Sequence, residues 1–265
     1  MESKSKEILS LIESSIKQGN ADIKSFTVNL LSNLKKIISF EKLKEIAEDN
    51  LSEKNIYFIR HAESEHNVLE SKYSQYELDK WNIHDPKLTQ RGIEQTNHIK
   101  KKLQEKKIHF GSVFVSPLTR AVQTYFLIEK DLNADAKIII TDFAREVVSQ
   151  RLDKNKGKEL SKLKEENKNS KLDFEFMTKE FWWFDLGKKK DDESEGKERF
   201  TLRLKLFALW LAFRPEENIL IISHSHVFVN MQDSYGIYNA DMVRMNNKDL
   251  LDNIQSLIEF KGQIK

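Results

Sequence analysis

Apolar positions along this chain alternate between two periods, and the changes of period outline its elements. Residues 1 to about 50 carry Ile8, Leu9, Leu11, Ile12 and Ile16, then Phe26, Leu30, Leu31, Leu34, Ile37 and Ile38, with Lys and Glu at many positions between. Spacing by three and four is the signature of an amphipathic helix. Two or three helices are predicted, with a break near Asn20, forming an extension that packs on the remainder of the chain. A basic face over residues 24–36 offers the alternative of a partner-binding or membrane-surface helix, and the N-terminal helices also offer a surface for self-association.

Beyond residue 54 the pattern shortens. Residues 55–59, 112–115, 137–141 and 218–223 are compact runs rich in Ile, Val and Phe, each sized for a buried strand. Between them lie helical stretches. One runs from about 90 to 107, with Thr89 as N-cap and Leu88 as staple residue. Another follows Pro117, with Ser116 as its expected cap. A third covers about 195–213 with an apolar stripe of Phe200, Leu204, Phe207 and Leu211, and ends at Arg214-Pro215. The last covers 249–260. Strands alternating with helices predict a three-layer α/β/α sandwich with a mostly parallel central sheet, plus the N-terminal helices. The expected division is a helical extension over 1–52 and one domain over 53–265, interrupted by an insertion at about 150–198.

That insertion is polar, with many Lys, Glu, Asp and Asn around Phe174, Phe176, Phe181, Trp182, Trp183 and Phe184. Aromatics in this number imply that it packs down, its position after the Glu146 strand makes it a candidate lid over a site, and Lys188-Lys189-Lys190 reads as solvated surface. Residues 68–85, with Tyr73, Tyr76 and Trp81, read as an ordered loop or short helices. Composition narrows the function further. With 44 Lys plus Arg against 42 Asp plus Glu, the net charge of +2 gives no general attraction to nucleic acid. The absence of cysteine removes disulfides, thiolate metal sites and thiol nucleophiles together. No run approaches the ~20 apolar residues of a membrane span, and the first residues lack a signal-peptide pattern. A cytoplasmic protein is expected.

The chemistry gathers at strand ends. Parallel sheets place ligand sites beyond the carboxyl ends of their strands. There the chain delivers Arg60-His61, Arg120 in the first turn of a helix, Glu146 and His224. Two arginines suit the oxygens of a phosphoryl group. A neutral imidazole can attack phosphorus, a second can donate to the phosphoryl group, and a carboxylic acid can protonate the leaving oxygen. His224-Ser225-His226 also has the spacing of a metal pair, although two nearby arginines would repel a cation. His66, His84, His98 and His109 read as surface or loop residues.

Arg60-His61-Ala62-Glu63-Ser64 resembles the Arg-His-Gly signature of the histidine phosphatase (phosphoglycerate mutase-like) superfamily. Leu88-Thr89 with Gly92 and Gln95, Ser116-Pro117-Leu118 with Arg120-Ala121 and Gln123-Thr124, and Ser223-His224 resemble its further blocks, in its order, over roughly residues 54–230. The resemblance implies that His61 becomes phosphohistidine. Arg60, Asn67, Arg120 and His224 would form the phosphate pocket, and Glu146 would be the acid that later activates water. It further implies a backbone N–H of Ser225 facing the phosphate, and no metal or cofactor. Arg145-Glu146-Val147-Val148-Ser149 through Asp153, with Glu193-Ser194, Arg203, Trp210 and Arg214-Pro215-Glu216, is similar to the phosphatase-like branch. Ala62 and Ser225 stand where the family has glycine. The expected activity is hydrolysis of a phosphomonoester, on a phosphorylated small molecule or a phosphoprotein. The alternatives are a phosphoglycerate mutase-type phosphotransferase and a phosphate-binding scaffold with little turnover. Asn67 could instead cap a helix.

Overall fold

The computed structural model describes residues 2–19, 22–74, 83–148, 153–183 and 195–260. Helices α1 (Glu2–Gln18), α2 (Ile23–Ile37) and α3 (Phe40–Ser52) come first. Asp22 and Ser39 start α2 and α3 by accepting from the Ser25 and Lys42 backbone N–H groups. Then come β1 (Asn55–Arg60), α4 (Glu65–Glu70), α5 (Gln90–Lys106), β2 (Ser112–Val115), α6 (Thr119–Ile128) and β3 (Lys137–Ile140). They are followed by α7 (Leu160–Glu166), β4 (Leu172–Asp173), α8 (Lys197–Phe213), β5 (Asn218–Ser223), α9 (Ser225–Met231), β6 (Met242–Arg244) and α10 (Asn247–Phe260). Short 3-10 turns occupy Asp142–Ala144 and Asp153–Asn155.

The six strands form one sheet in the order β4-β3-β2-β5-β1-β6. All pairings are parallel except that of β6, which runs antiparallel along β1. Register matters more than order here. Arg60 lies opposite Ser223, Val115 opposite Ile222, and Val115 opposite Ile140. The central strands therefore end level, and the residues that follow them emerge on one rim.

Strand residues alternate between two cores, as a sheet covered on both faces requires. Phe58, Phe114, Ile139, Ile219 and Ile221 face the layer holding α8 and the N-terminal helices. Ile59, Val113, Val115, Ile138, Ile140, Leu220 and Ile222 face the opposite layer. Helix α8 departs from its expected stripe. Leu202, Leu206, Leu209 and Trp210 are buried as completely as Phe207 and Leu211, because α1, α2, α3 and α10 cover the face turned away from the sheet. A helix apolar on all sides must be enclosed. The N-terminal helices supply that enclosure, and Arg214, just past the end of α8, pairs with Glu13 of α1.

The insertion packs down through its aromatics. Trp182 and Trp183 are buried, and Trp182 Nε1 donates to the Lys158 carbonyl at 2.8 Å. Phe176 reaches the other core and meets Trp210 with ring centroids 4.8 Å apart. Phe181 is exposed. Tyr73 is partly exposed, while Tyr76, Trp81, Phe184, the lysines at 188–190 and Glu193-Ser194 lie outside the described residues. No helix among the described residues is long and apolar enough to cross a membrane.

Candidate active site

Strand β1 ends in Arg60 and passes directly into His61, whose backbone N–H donates to the Ser223 carbonyl of the neighbouring β5 at 2.9 Å. The imidazole is buried, and its Nδ1 lies 2.7 Å from the Ala62 carbonyl oxygen. A carbonyl can only accept, so Nδ1 carries the hydrogen and Nε2 carries the lone pair. Arg120 Nε donates to that Nε2 at 3.2 Å, which fits the same tautomer. Burial, and then the charges of Arg120 and Arg60, hold the His61 pKa well below its ordinary value. His61 is therefore neutral near pH 7, with its Nε2 lone pair accepting from the Arg120 guanidinium.

His224 follows β5 as His61 follows β1, and the two rings lie 5.0 Å apart. Its Nε2 meets Ser116 Oγ at 2.7 Å. Burial and the Arg120 charge again keep it neutral. Arg60 donates from Nη1 to the Ile237 carbonyl at 2.8 Å. Among the described residues, Arg60 Nε and His224 Nδ1 are buried without a hydrogen-bond partner. Orphaned buried polar atoms on a native rim call for a ligand. With two arginines beside them, the ligand they suit is an oxyanion.

Glu146 reaches the same rim from the loop after β3. Its Oε1 accepts from the Val147 N–H at 2.9 Å, and its Oε2 lies 3.2 Å from His226 Nδ1. Burial alone would raise this carboxyl's pKa. The His226 bond and charge, the Val147 N–H and Arg120 more than offset burial and leave the pKa below the ordinary value. In return Glu146 raises the pKa of His226. The loop itself is clamped from beneath. Glu195 accepts from Arg145 at 2.7 and 2.9 Å and from Arg203 at 2.7 and 2.9 Å, while Arg203 also donates to the carbonyls of Phe143 and Arg145. Burial opposes ionisation of Glu195, but the two arginines pull its pKa down to about 2.

Several side chains sit differently from expectation. Asn67 Oδ1 accepts from Ser64 N, Ser64 Oγ and Asn239 Nδ2, so its carbonyl end closes a capping box on α4 and only its Nδ2 end is left for a ligand. Ser225 opens α9 half-buried, its hydroxyl 3.9 Å from where a Cβ on Gly236 would stand. Ser116 stands ahead of the N-cap position of α6, which Leu118 fills; its hydroxyl meets His224 and accepts from Leu118 N at 3.4 Å, while Asp85 accepts from Thr119 N at 2.9 Å. Ala62 is fully buried and donates from its N–H to Thr124 Oγ1 at 3.1 Å. His66 is not a surface residue. It is buried on α4 against Glu70 and Lys154. His226 pairs with Glu146, and among the described residues no group of three or more His, Cys, Asp or Glu side chains is placed to hold a metal.

Other contacts had a readable signal. Thr89 caps α5 by accepting from Gly92 N at 2.9 Å, as its position predicts. Gly92 is required there, since a Cβ would fall 2.1 Å from the Glu63 carbonyl oxygen and push α5 off the loop after His61. Lys154 and Asn155, which hold Arg120 from the insertion, carry no motif and were not found by sequence reasoning.

The level parallel rim of this α/β sandwich thus gathers two arginines and two neutral histidines. The family model described as "Histidine phosphatase superfamily (branch 1)" matches residues 56–232, and the chain belongs to that superfamily. Among curated proteins none matches the sequence significantly. Solved structures share the architecture at low identity. The ecdysone phosphate phosphatase of Bombix mori, in complex with tungstate, is 14% identical with a TM-score of 0.51, over 74% of this chain and 90% of that one. A candidate alpha-ribazole-5'-P phosphatase of Escherichia coli is 21% identical with a TM-score of 0.46, over 73% and 90%. A mycobacterial glucosyl-3-phosphoglycerate phosphatase is 13% identical with a TM-score of 0.43, over 73% and 90%.

Proposed function

We propose that the protein is a phosphatase that hydrolyses a phosphomonoester through a phosphohistidine on His61 Nε2. The observation that carries this reading is the tautomer. Nδ1–H is committed to the Ala62 carbonyl, so Nε2 is unprotonated at neutral pH; its lone pair accepts from Arg120 Nε, and that bond gives way to phosphorus when the substrate's oxygens engage the guanidinium. Arg60, Arg120 and His224 Nδ1 would hold the phosphoryl oxygens, with the two unpartnered N–H positions taking up the added charge of the transition state. Attack forms the Nε2–P bond and breaks the P–O bond to the leaving group.

Glu146 would protonate the departing oxygen. Free, it is ionised near neutral pH, since His226, the Val147 N–H and Arg120 outweigh burial and hold its pKa below the ordinary carboxylate value. A bound phosphoryl group brings negative charge beside it and raises that pKa, so the proton enters with the substrate or from solvent. The phosphorylated ring is cationic, and the Nδ1–H bond to Ala62 stabilises it. Glu146, deprotonated again, then takes a proton from water as water attacks phosphorus. Inorganic phosphate leaves and neutral His61 returns.

Acid quench of the protein mixed with a 32P-labelled ester tests the reading. Acid-labile, base-stable label on the parent, absent from His61→Ala, is expected. No labelled enzyme, with turnover intact in His61→Ala, would sink it. Assay of 3-phosphoglycerate with and without 2,3-bisphosphoglycerate separates hydrolysis from mutase-type transfer, because only a mutase is strongly primed.

A further inference from the structure

Arg120 is held from a part of the chain that carries no recognisable motif. The turn Asp153–Asn155 in the insertion presents two acceptors to it: the Lys154 carbonyl to Nη1 at 3.0 Å and Asn155 Oδ1 to Nη2 at 2.7 Å. The third nitrogen, Nε, is left facing His61. The opposite end of the Asn155 amide donates from Nδ2 to the Val147 carbonyl at 2.7 Å. Val147 is the residue whose N–H fixes Glu146 Oε1. One buried side chain therefore joins the guanidinium of Arg120 to the residue whose backbone N–H holds the carboxylate.

The joint needs an acceptor at one end and a donor at the other. The Asn155 amide provides both, its oxygen accepting and its Nδ2 donating. The turn is in turn fastened to α4, where Lys154 Nζ reaches Glu70 at 2.7 Å and His66, and His66 meets Glu70 at 2.7 Å. Burial opposes the Glu70 charge, yet the bonds from His66 and Lys154 bring its pKa to about 2, so the anchor stays ionised.

We infer that Asn155 is a positioning residue that sets Arg120 and Glu146 at a fixed separation, so that phosphoryl binding and protonation of the leaving oxygen occur in one geometry. This rests on the hydrolase reading above. It implies a distinctive defect. Losing Asn155 misaligns both partners, and the acid matters most when the leaving group is a poor one.

The test compares the parent with Asn155→Ala and Asn155→Ser on p-nitrophenyl phosphate and on an alkyl phosphate, together with orthovanadate titration. For folded Asn155→Ala, kcat/KM should fall about 30-fold on the aryl ester and roughly tenfold further on the alkyl ester. Vanadate affinity should weaken about tenfold, and Asn155→Ser, which keeps a donor and an acceptor, should recover part of each loss. Lys168→Ala, at an exposed ion pair elsewhere in the insertion, should match the parent. A folded Asn155→Ala within twofold of the parent on both esters and on vanadate overturns the inference. So does an equal loss on both esters that tracks only a reduced folded fraction. If Asn155→Ala does not fold, Asn155→Ser carries the same comparison. If the parent hydrolyses neither ester, the hydrolase reading fails separately; vanadate weakening then upholds the Arg120 arm, and unchanged affinity overturns it.

Discussion

Two buried ionic clusters lie on either side of Glu146, and they are built on opposite terms. Above it, Arg60 and Arg120 share the rim with two histidines held neutral by burial and by those same charges. Arg60 Nε and His224 Nδ1 have no partner among the described residues. Below it, Arg145 and Arg203 close on Glu195 through four charge-assisted bonds, and Arg203 also takes up loop carbonyls; Arg145 Nε alone is left over. Burying a cation is costly unless it is paired. The lower cluster meets that requirement internally and fixes a backbone. The upper one keeps two unpartnered nitrogens, Arg60 Nε and His224 Nδ1, which under the proposed function the phosphoryl group takes up.

The largest effect should fall on the upper cluster. His61→Ala should lower turnover by at least about 10⁴-fold while leaving the melting temperature nearly unchanged, measured by steady-state assay and calorimetry. Arg120→Ala should cost about 10²- to 10³-fold in kcat/KM, as the loss of a preorganised charge on the transferring group does. Equal losses in stability and activity for either variant would erase the distinction between the clusters.

The lower cluster should answer with stability. Glu195→Ala strands two buried arginines and should destabilise the fold by about 3–5 kcal/mol, or roughly 10 °C in melting temperature. The sign of the pH dependence follows. The folded Glu195 pKa is about 2, below an unfolded value near 4.3. Its contribution is full above pH ~4.3 and is lost as pH falls from about 4 towards 2. Urea midpoints across that window should drop in the parent and flatten in the variant. The smallest effect belongs to His226, which helps to depress the Glu146 pKa. Removing it in His226→Ala should move the alkaline limb of kcat/KM for an alkyl ester to higher pH; an unmoved limb would detach His226 from the acid.

Much of this rim was legible before any coordinates. Short apolar runs ending in Arg60-His61, Arg120 and His224 specify parallel strands, and a level register then brings those ends together without further information. The Thr89 cap and the strands β1, β2, β3 and β5 are equally local, hence readable, whereas the short edge strands β4 and β6 carry no such run and were not expected. What escaped depends on distant packing. His66 looks polar and exposed until Lys154, 88 residues on, folds over it. The α8 stripe looked one-sided because nothing in its own sequence says that α1, α2, α3 and α10 cover the other face. Asn67 took the local capping role with Ser64, while Ser116 was a local capping candidate whose hydroxyl turned instead to a distant partner, His224. Asn155 sits in a charged insertion with no periodicity, so its link between Arg120 and Val147 could only be seen in three dimensions.

The ring position of the phosphoryl group tests the account most directly. Protein labelled with 15N at histidine, trapped during turnover of a phosphomonoester, can be read by 31P and 15N NMR. Phosphorylation at His61 Nε2 with the proton retained on Nδ1 is the result expected from the Ala62 bond. A phosphoryl group on Nδ1, on His224, or on no histidine at all would contradict it.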